Sequence, residues 1–177
     1  ILHVRAEDDR VQIAAKDAIM RINRDIRFSK DKTPYNTHVS AIVSAGGKKD
    51  KTIPGLYVRL DPPADEVRIY GGAHMLDKDM LYNIRTRIAK DPKGFEKELN
   101  DTAFQKYFGG LHGEQNKRLA PEFQEAAEKQ PLLFNKSFYY YAILPGKSIL
   151  ADNLIDQIME HFHAGKSMNA YLQAAMA

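Results

Sequence analysis

Residues 55–72, GLYVRLDPPADEVRIYGG, constrain the fold more than any other stretch of the chain. Two runs, LYVRL and EVRIY, alternate apolar and polar side chains with the two-residue period of a half-buried strand. A proline-rich connection of a few residues joins them, so they read as an antiparallel hairpin. A sheet with one apolar face has to be covered, and the rest of the chain must supply the cover.

Further strands are expected where the same alternation recurs. IMRINRD sets Met20 and Ile22 against Arg21 and Asn23, THVSAIVSA carries Val39, Ala41 and Val43, and FYYYAIL has strong β preference. Helical spacing appears in MLDKDMLYNIRTRIAKDP, with Met80, Leu81, Ile84 and Ile88 on one stripe, Asp77 and Asp79 in the first turn, and Pro92 as the stop. KGFEKELND, TAFQKYF and EFQEAAEK read as shorter helices, and the opening 18 residues as a short helix or loop. LADNLIDQIMEHFHAG gives a helix that Gly165 is expected to end, and MNAYLQAAMA a separate last piece. The expected architecture is α+β: a mainly antiparallel sheet of about five strands, helices in a single layer on at least one face, and one domain over residues 1–177.

Composition narrows the class. A chain of 177 residues, 44% hydrophobic and 28% charged, can bury a core without metal or disulfide staples. It has no cysteine, which excludes thiolate zinc sites and cysteine nucleophiles. No apolar run approaches a membrane span and no secretory signal is visible, so no membrane partner and a cytoplasmic location are expected. A formal charge of +3 permits an anionic partner without requiring one.

The densest polar stretch is RDIRFSKDKTPYNTH. Arg24, Arg27, Lys30 and Lys32 are interrupted only by Asp25 and Asp31, beside Ser29, Thr33, Tyr35 and His38. Two readings stand. The cations form an anion pocket, with arginine forks suited to phosphate or carboxylate; or the aspartates neutralise them, Phe28 and Tyr35 plug the core, and the segment is a latch between strands.

RINRDIRFSKDKTPYNTH resembles the signature of a bacterial and fungal family catalogued as domain of unknown function 2461, whose members carry an R-x-x-RD-x-RFSKDK-x-PY-K-TH type segment. LYNIRTRI with Arg85, GEQNKRLAPEF with Glu114, Lys117 and Arg118, and LLFNKSFYYY with Lys136 follow in the family order, from about residue 10 onward. Family members usually carry an amino-terminal helical region with an Asn-x-x-x-Trp-Phe segment; this chain has no tryptophan, so that region is expected to be absent or trimmed. The family's lysine after Pro-Tyr is Asn36 here. The resemblance brings no established activity. It implies a ligand-binding set of Arg24, Arg27, Lys30, Lys32, Tyr35, Arg85, Lys117, Arg118 and Lys136, with His38 and Glu114 as candidate acid–base groups.

The leading expectation is therefore an uncharacterised protein whose cationic pocket binds a phosphate- or carboxylate-bearing small molecule. One alternative is a nucleic-acid-binding or protein-interaction module using the basic loops KKDKT and RDIRFSKDK. Another is a hydrolase or transferase acting on an anionic substrate. No cofactor is named by the sequence, and no metal is expected, because His161 and His163 point apart on a helix. PGKSIL resembles the end of a phosphate loop, but Tyr141 stands where its first glycine belongs. In FYYY one face is expected to be core, and Met20, Met80 and Met159 are read as core filler. The oligomeric state is left open.

Overall fold

The protein, described here by a computed structural model covering residues 1–50 and 52–177, is built on one antiparallel sheet. Its strands β1 (Val39–Val43), β2 (Leu56–Asp61), β3 (Glu66–Ala73) and β4 (Phe138–Pro145) lie in sequence order. The β2–β3 hairpin forms as the alternation requires, closed by a 3-10 turn at Pro62–Ala64 and by Asp65 at φ +53°. Its alternating residues sort to the two faces: Val67, Ile69 and Ala73 are buried, whereas Arg68 and Tyr70 are half exposed.

Among the described residues the sheet has four strands, one fewer than the roughly five expected. IMRINRD makes only isolated bridges, Ile19 with Ala41 and Asn23 with Tyr35. The Met20 amide donates to the Ser40 carbonyl at 2.8 Å, then the chain leaves the sheet; the Arg24 amide donates to Pro34 and that of Asn36 to Ile22. Pro34 has no amide to continue a ladder. The alternation also buries no face, since Met20 is 38% and Ile22 47% exposed, so Met20 is not core filler.

Helices pack on the apolar face of the sheet and on one another. They are α1 (Leu2–Glu7), α2 (Ala15–Ala18), α3 (Lys78–Lys90), α4 (Pro92–Leu99), α5 (Thr102–Phe108), α6 (Pro121–Lys129) and α7 (Leu154–Met176). Asp77, Asp91 and Asp101 cap α3, α4 and α5 through side-chain oxygens that accept backbone amides at 2.9 Å. Pro92 opens α4 as its first residue while α3 ends before it, as the sequence indicates. The main core joins Ile84, Phe95, Phe104, Leu133, Phe138, Met168 and Leu172; a second, under α1, joins Val4, Val11, Leu56 and Ile69.

Gly165 does not end a helix. α7 runs through it for 23 residues because the glycine lets the helix approach Tyr140 of β4. The buried Tyr140 hydroxyl donates across that contact to the Gly165 carbonyl at 3.0 Å and also bonds Asn169 Oδ1 at 2.8 Å. Burial pushes its pKa up. Asn169 Oδ1 also accepts the Gly72 amide at 2.9 Å, where β3 holds φ +89°. A short polar knot thus pins the long helix to β3 and β4.

Candidate functional site

The face of the sheet opposite the helices is left half exposed, and the strand register arranges it in rows. Ile42, Tyr57, Tyr70 and Tyr141 are direct cross-strand neighbours and make one row over all four strands. Ser40, Arg59, Arg68 and Ile143 make the next, followed by Asp61, Glu66 and Pro145. Adjacent rings touch: Tyr57 to Tyr70 and Tyr70 to Tyr141 both have centroids 5.6 Å apart. Tyr139, two residues before Tyr141 on β4, extends the aromatic surface to His74 at 5.5 Å. His112 stacks on Tyr141 at 4.7 Å from the loop that covers the outer edge of β4.

Arg59 and Arg68 face one another, an arrangement that like charges disfavour. Each is compensated along its own strand, Arg59 by Asp61 and Arg68 by Glu66, both at 2.6 Å. Tyr70 first, then Glu66, holds Arg68 more firmly protonated than an ordinary arginine. His38, just ahead of β1, lies beside this pair. Burial first, and then the Arg59 charge, pushes its pKa below the usual 6.5, with Asp61 opposing. Since the unfolded chain takes up that proton more readily, His38 favours folding above pH 6.5, and this contribution falls as pH drops from 6.5 through the lowered folded value. In an NMR titration Arg59→Gln should move the His38 midpoint back upward; an unchanged midpoint would remove Arg59 as a cause.

At its far end the aromatic surface runs into an open depression of about 370 Å³ lined by His74, Met75, Leu76, Glu114, Lys136, Ser137 and Tyr139. Glu114 and Lys136 are brought together by their backbones, the Lys136 amide donating to the Glu114 carbonyl at 2.7 Å. Their side chains form an ion pair at 3.4 Å, with Lys136 about half exposed and Glu114 85% exposed.

The other sequence candidates lie elsewhere. Arg24 pairs with Asp31, and Arg27 with Asp25 at 2.6 Å. These pairs fit the latch reading, but its apolar half fails: Phe28 is 94% and Tyr35 54% exposed, because the loop stands away from the core instead of over it. Lys30 and Lys32 are exposed on the same loop, the Lys32 ammonium donating to the Ile26 carbonyl. Arg85 is buried and donates to the Leu133 and Asn135 carbonyls at 2.8 and 3.0 Å. Lys117 and Arg118 are exposed between α5 and α6. Of the basic loop KKDKT, Lys51 lies outside the described residues.

His38 and Glu114 do not share a site. His38 adjoins Asp61, which pairs with the first residue of β3, whereas Lys136 and Glu114 stand beyond Phe138, which pairs with the last. Those eight residues separate the two ends by roughly 23 Å at the rise of an extended strand. His161 is buried on α7 against Tyr107 and Phe108, while His163 faces outward to Glu7.

Sequence reasoning missed Tyr57, Tyr70, Arg59, Arg68, His74 and the outward pair of the tyrosine run. The alternation of EVRIY and FYYY does assign the inward set, Phe138 and Tyr140, to the core. What it lacks is register, which alone turns single outward residues into rows.

The fold and this face define an α+β protein built on one four-stranded antiparallel sheet with an aromatic open side. The chain belongs to the family described as conserved hypothetical protein (DUF2461), whose profile matches residues 3–171 and so extends the motif resemblance to almost the whole chain. Neither a curated protein nor a solved structure matches it. No described helix is long and apolar enough to cross a membrane.

Proposed function

We propose that the protein binds a small phosphate- or carboxylate-bearing molecule that also carries a flat ring, in the depression between His74, Tyr139, Glu114 and Lys136. The observation that carries this reading is the junction of the aromatic surface with the ammonium group of Lys136. Tyr139 and His74 offer faces for a ring, and Lys136 a charge for the acid group. The depression, at about 370 Å³, falls within the size range of small-molecule sites.

Glu114 does not stand in the way. An exposed ion pair is worth about 0–1 kcal/mol, so an incoming anion displaces it at little cost. A charge-assisted hydrogen bond to the ligand contributes more, about 1.5–3 kcal/mol.

Calorimetric titration with inorganic phosphate, benzoate and a nucleoside monophosphate tests the reading. The ring-bearing anions should bind more tightly than phosphate, Lys136→Ala should weaken them about tenfold, and Glu114→Gln should leave binding unchanged or tighten it. Equal affinity in Lys136→Ala and the parent, or no binding of either ring-bearing anion, would remove the proposal.

A further inference from the structure

The whole positive excess of the molecule sits on one projecting arm. Residues 19–38 hold five cations against two carboxylates, a formal charge of +3. The chain as a whole also carries +3, so the remaining residues sum to zero. Beyond the pairings of Asn36 with Ile22 and of Arg24 with Pro34, the loop 25–33 is mostly exposed.

The loop is nonetheless built. Asp31 accepts the Thr33 amide at 2.9 Å and the Thr33 hydroxyl at 2.6 Å, and the Lys32 ammonium reaches the Ile26 carbonyl at 3.0 Å. Thr33 and then Arg24 hold the Asp31 carboxyl well below its usual range, so the arrangement persists across neutral pH. At its tip Phe28 is 94% exposed, with the Arg27 guanidinium 5.7 Å from the ring centroid. The tip thus presents an aromatic face beside cationic side chains.

The arm adjoins the open sheet face. Ile19, at the base of the arm, pairs with Ala41 beside Ile42, where the row through Tyr57, Tyr70 and Tyr141 begins, and the loop 25–33 lies past the His38 end of β1. We propose that this arm and this row together bind single-stranded nucleic acid, the arm's cations taking backbone phosphates and Phe28 with the half-buried tyrosine rings stacking on bases. Aromatic faces beside a cationic track are what sequence-tolerant single-strand binding needs. A duplex does not fit as well, because its bases are already stacked. An anionic lipid surface would meet the arm but would have to leave the Arg59–Asp61 and Arg68–Glu66 pairs in the open, beside rings set side by side across strands. The arm and the row involve neither Lys136 nor Glu114, although the Tyr141 end of the row borders the depression through Tyr139.

The test is fluorescence anisotropy with a labelled 12-nucleotide single strand at several salt concentrations, run beside a duplex of the same length and phosphatidylserine vesicles. The parent should bind the single strand more tightly than the duplex, with affinity falling as salt rises. The Arg27→Ala/Lys30→Ala/Lys32→Ala variant should weaken binding at least tenfold and flatten the log–log salt slope by about 2, since each phosphate no longer neutralised removes about 0.7 from the slope. The Tyr57→Leu/Tyr70→Leu variant should weaken binding about fivefold or more at unchanged slope, since stacking contributes about 1–3 kcal/mol per base and is not ionic. Absence of single-strand binding at 50 mM salt, equal or tighter binding of the duplex, binding of vesicles alone, or an unchanged slope in the arm variant would each overturn the proposal.

Discussion

Gly165→Leu should lower the stability of the folded chain by about 3–5 kcal/mol, the largest loss expected from any single change here. By helix propensity alone the sign should be the reverse, since glycine inside a helix costs about 1 kcal/mol relative to alanine. Packing decides otherwise. A Cβ at residue 165 would stand 2.7 Å from Tyr140 Cζ and closer still to the hydroxyl, and Tyr140 is buried at 3% exposure with no room to swing away. A leucine therefore pushes α7 off β4 or turns Tyr140, and either movement breaks the bonds from Tyr140 to the Gly165 carbonyl and Asn169. In a domain of this size the loss corresponds to a melting point lower by roughly 10 °C. Gly165→Ala should move in the same direction by a smaller amount, readable as an earlier denaturant midpoint at constant slope. A Gly165→Ala protein more stable than its parent would show that propensity governs this position and that the close approach is dispensable.

That glycine also marks how far the sequence could be read. Alternation identified the β2–β3 hairpin; the structure keeps it sharply in EVRIY, where Val67 and Ile69 are buried, and less so in LYVRL, where only Leu56 is buried. The same signal failed at IMRINRD, whose apolar residues alternate without any surface to bury them. Periodicity reports which residues could share a face, not whether a face is covered. Gly165 failed for a related reason: a glycine that stops a helix and one that admits a neighbouring ring look alike until the neighbour is placed. The site was legible only in pieces. Glu114 and Lys136 were among the candidates, and the structure brings their backbones together. Cations of like residue type were grouped because they were close in sequence or shared a family motif, yet Arg24 and Arg27 turned to separate aspartates. The tyrosine and arginine rows depend on cross-strand register, which no single strand encodes.

Arg85 carries the second large effect. The family resemblance implied a ligand contact, but its guanidinium is spent on the chain itself: Nε on the Leu133 carbonyl and a terminal nitrogen on that of Asn135. Burial lowers its pKa, and the two carbonyls supply part of what water would have given. One acceptor lies within the 3-10 turn Pro131–Phe134 and the other just after it, and the next residue after Asn135 is Lys136 in the depression. Arg85 therefore positions the connection that delivers Lys136, one step away from any ligand. Arg85→Met keeps most of the volume and removes both donors, leaving two carbonyls unpaired at a cost of about 3 kcal/mol. Arg85→Lys should recover only part of this, because one ammonium cannot reproduce the fork that spans both oxygens. Urea unfolding of the three proteins should rank them parent, Arg85→Lys, Arg85→Met. An Arg85→Met protein as stable as the parent would free the guanidinium from this structural role and return it to the candidates for contact with the proposed ligand.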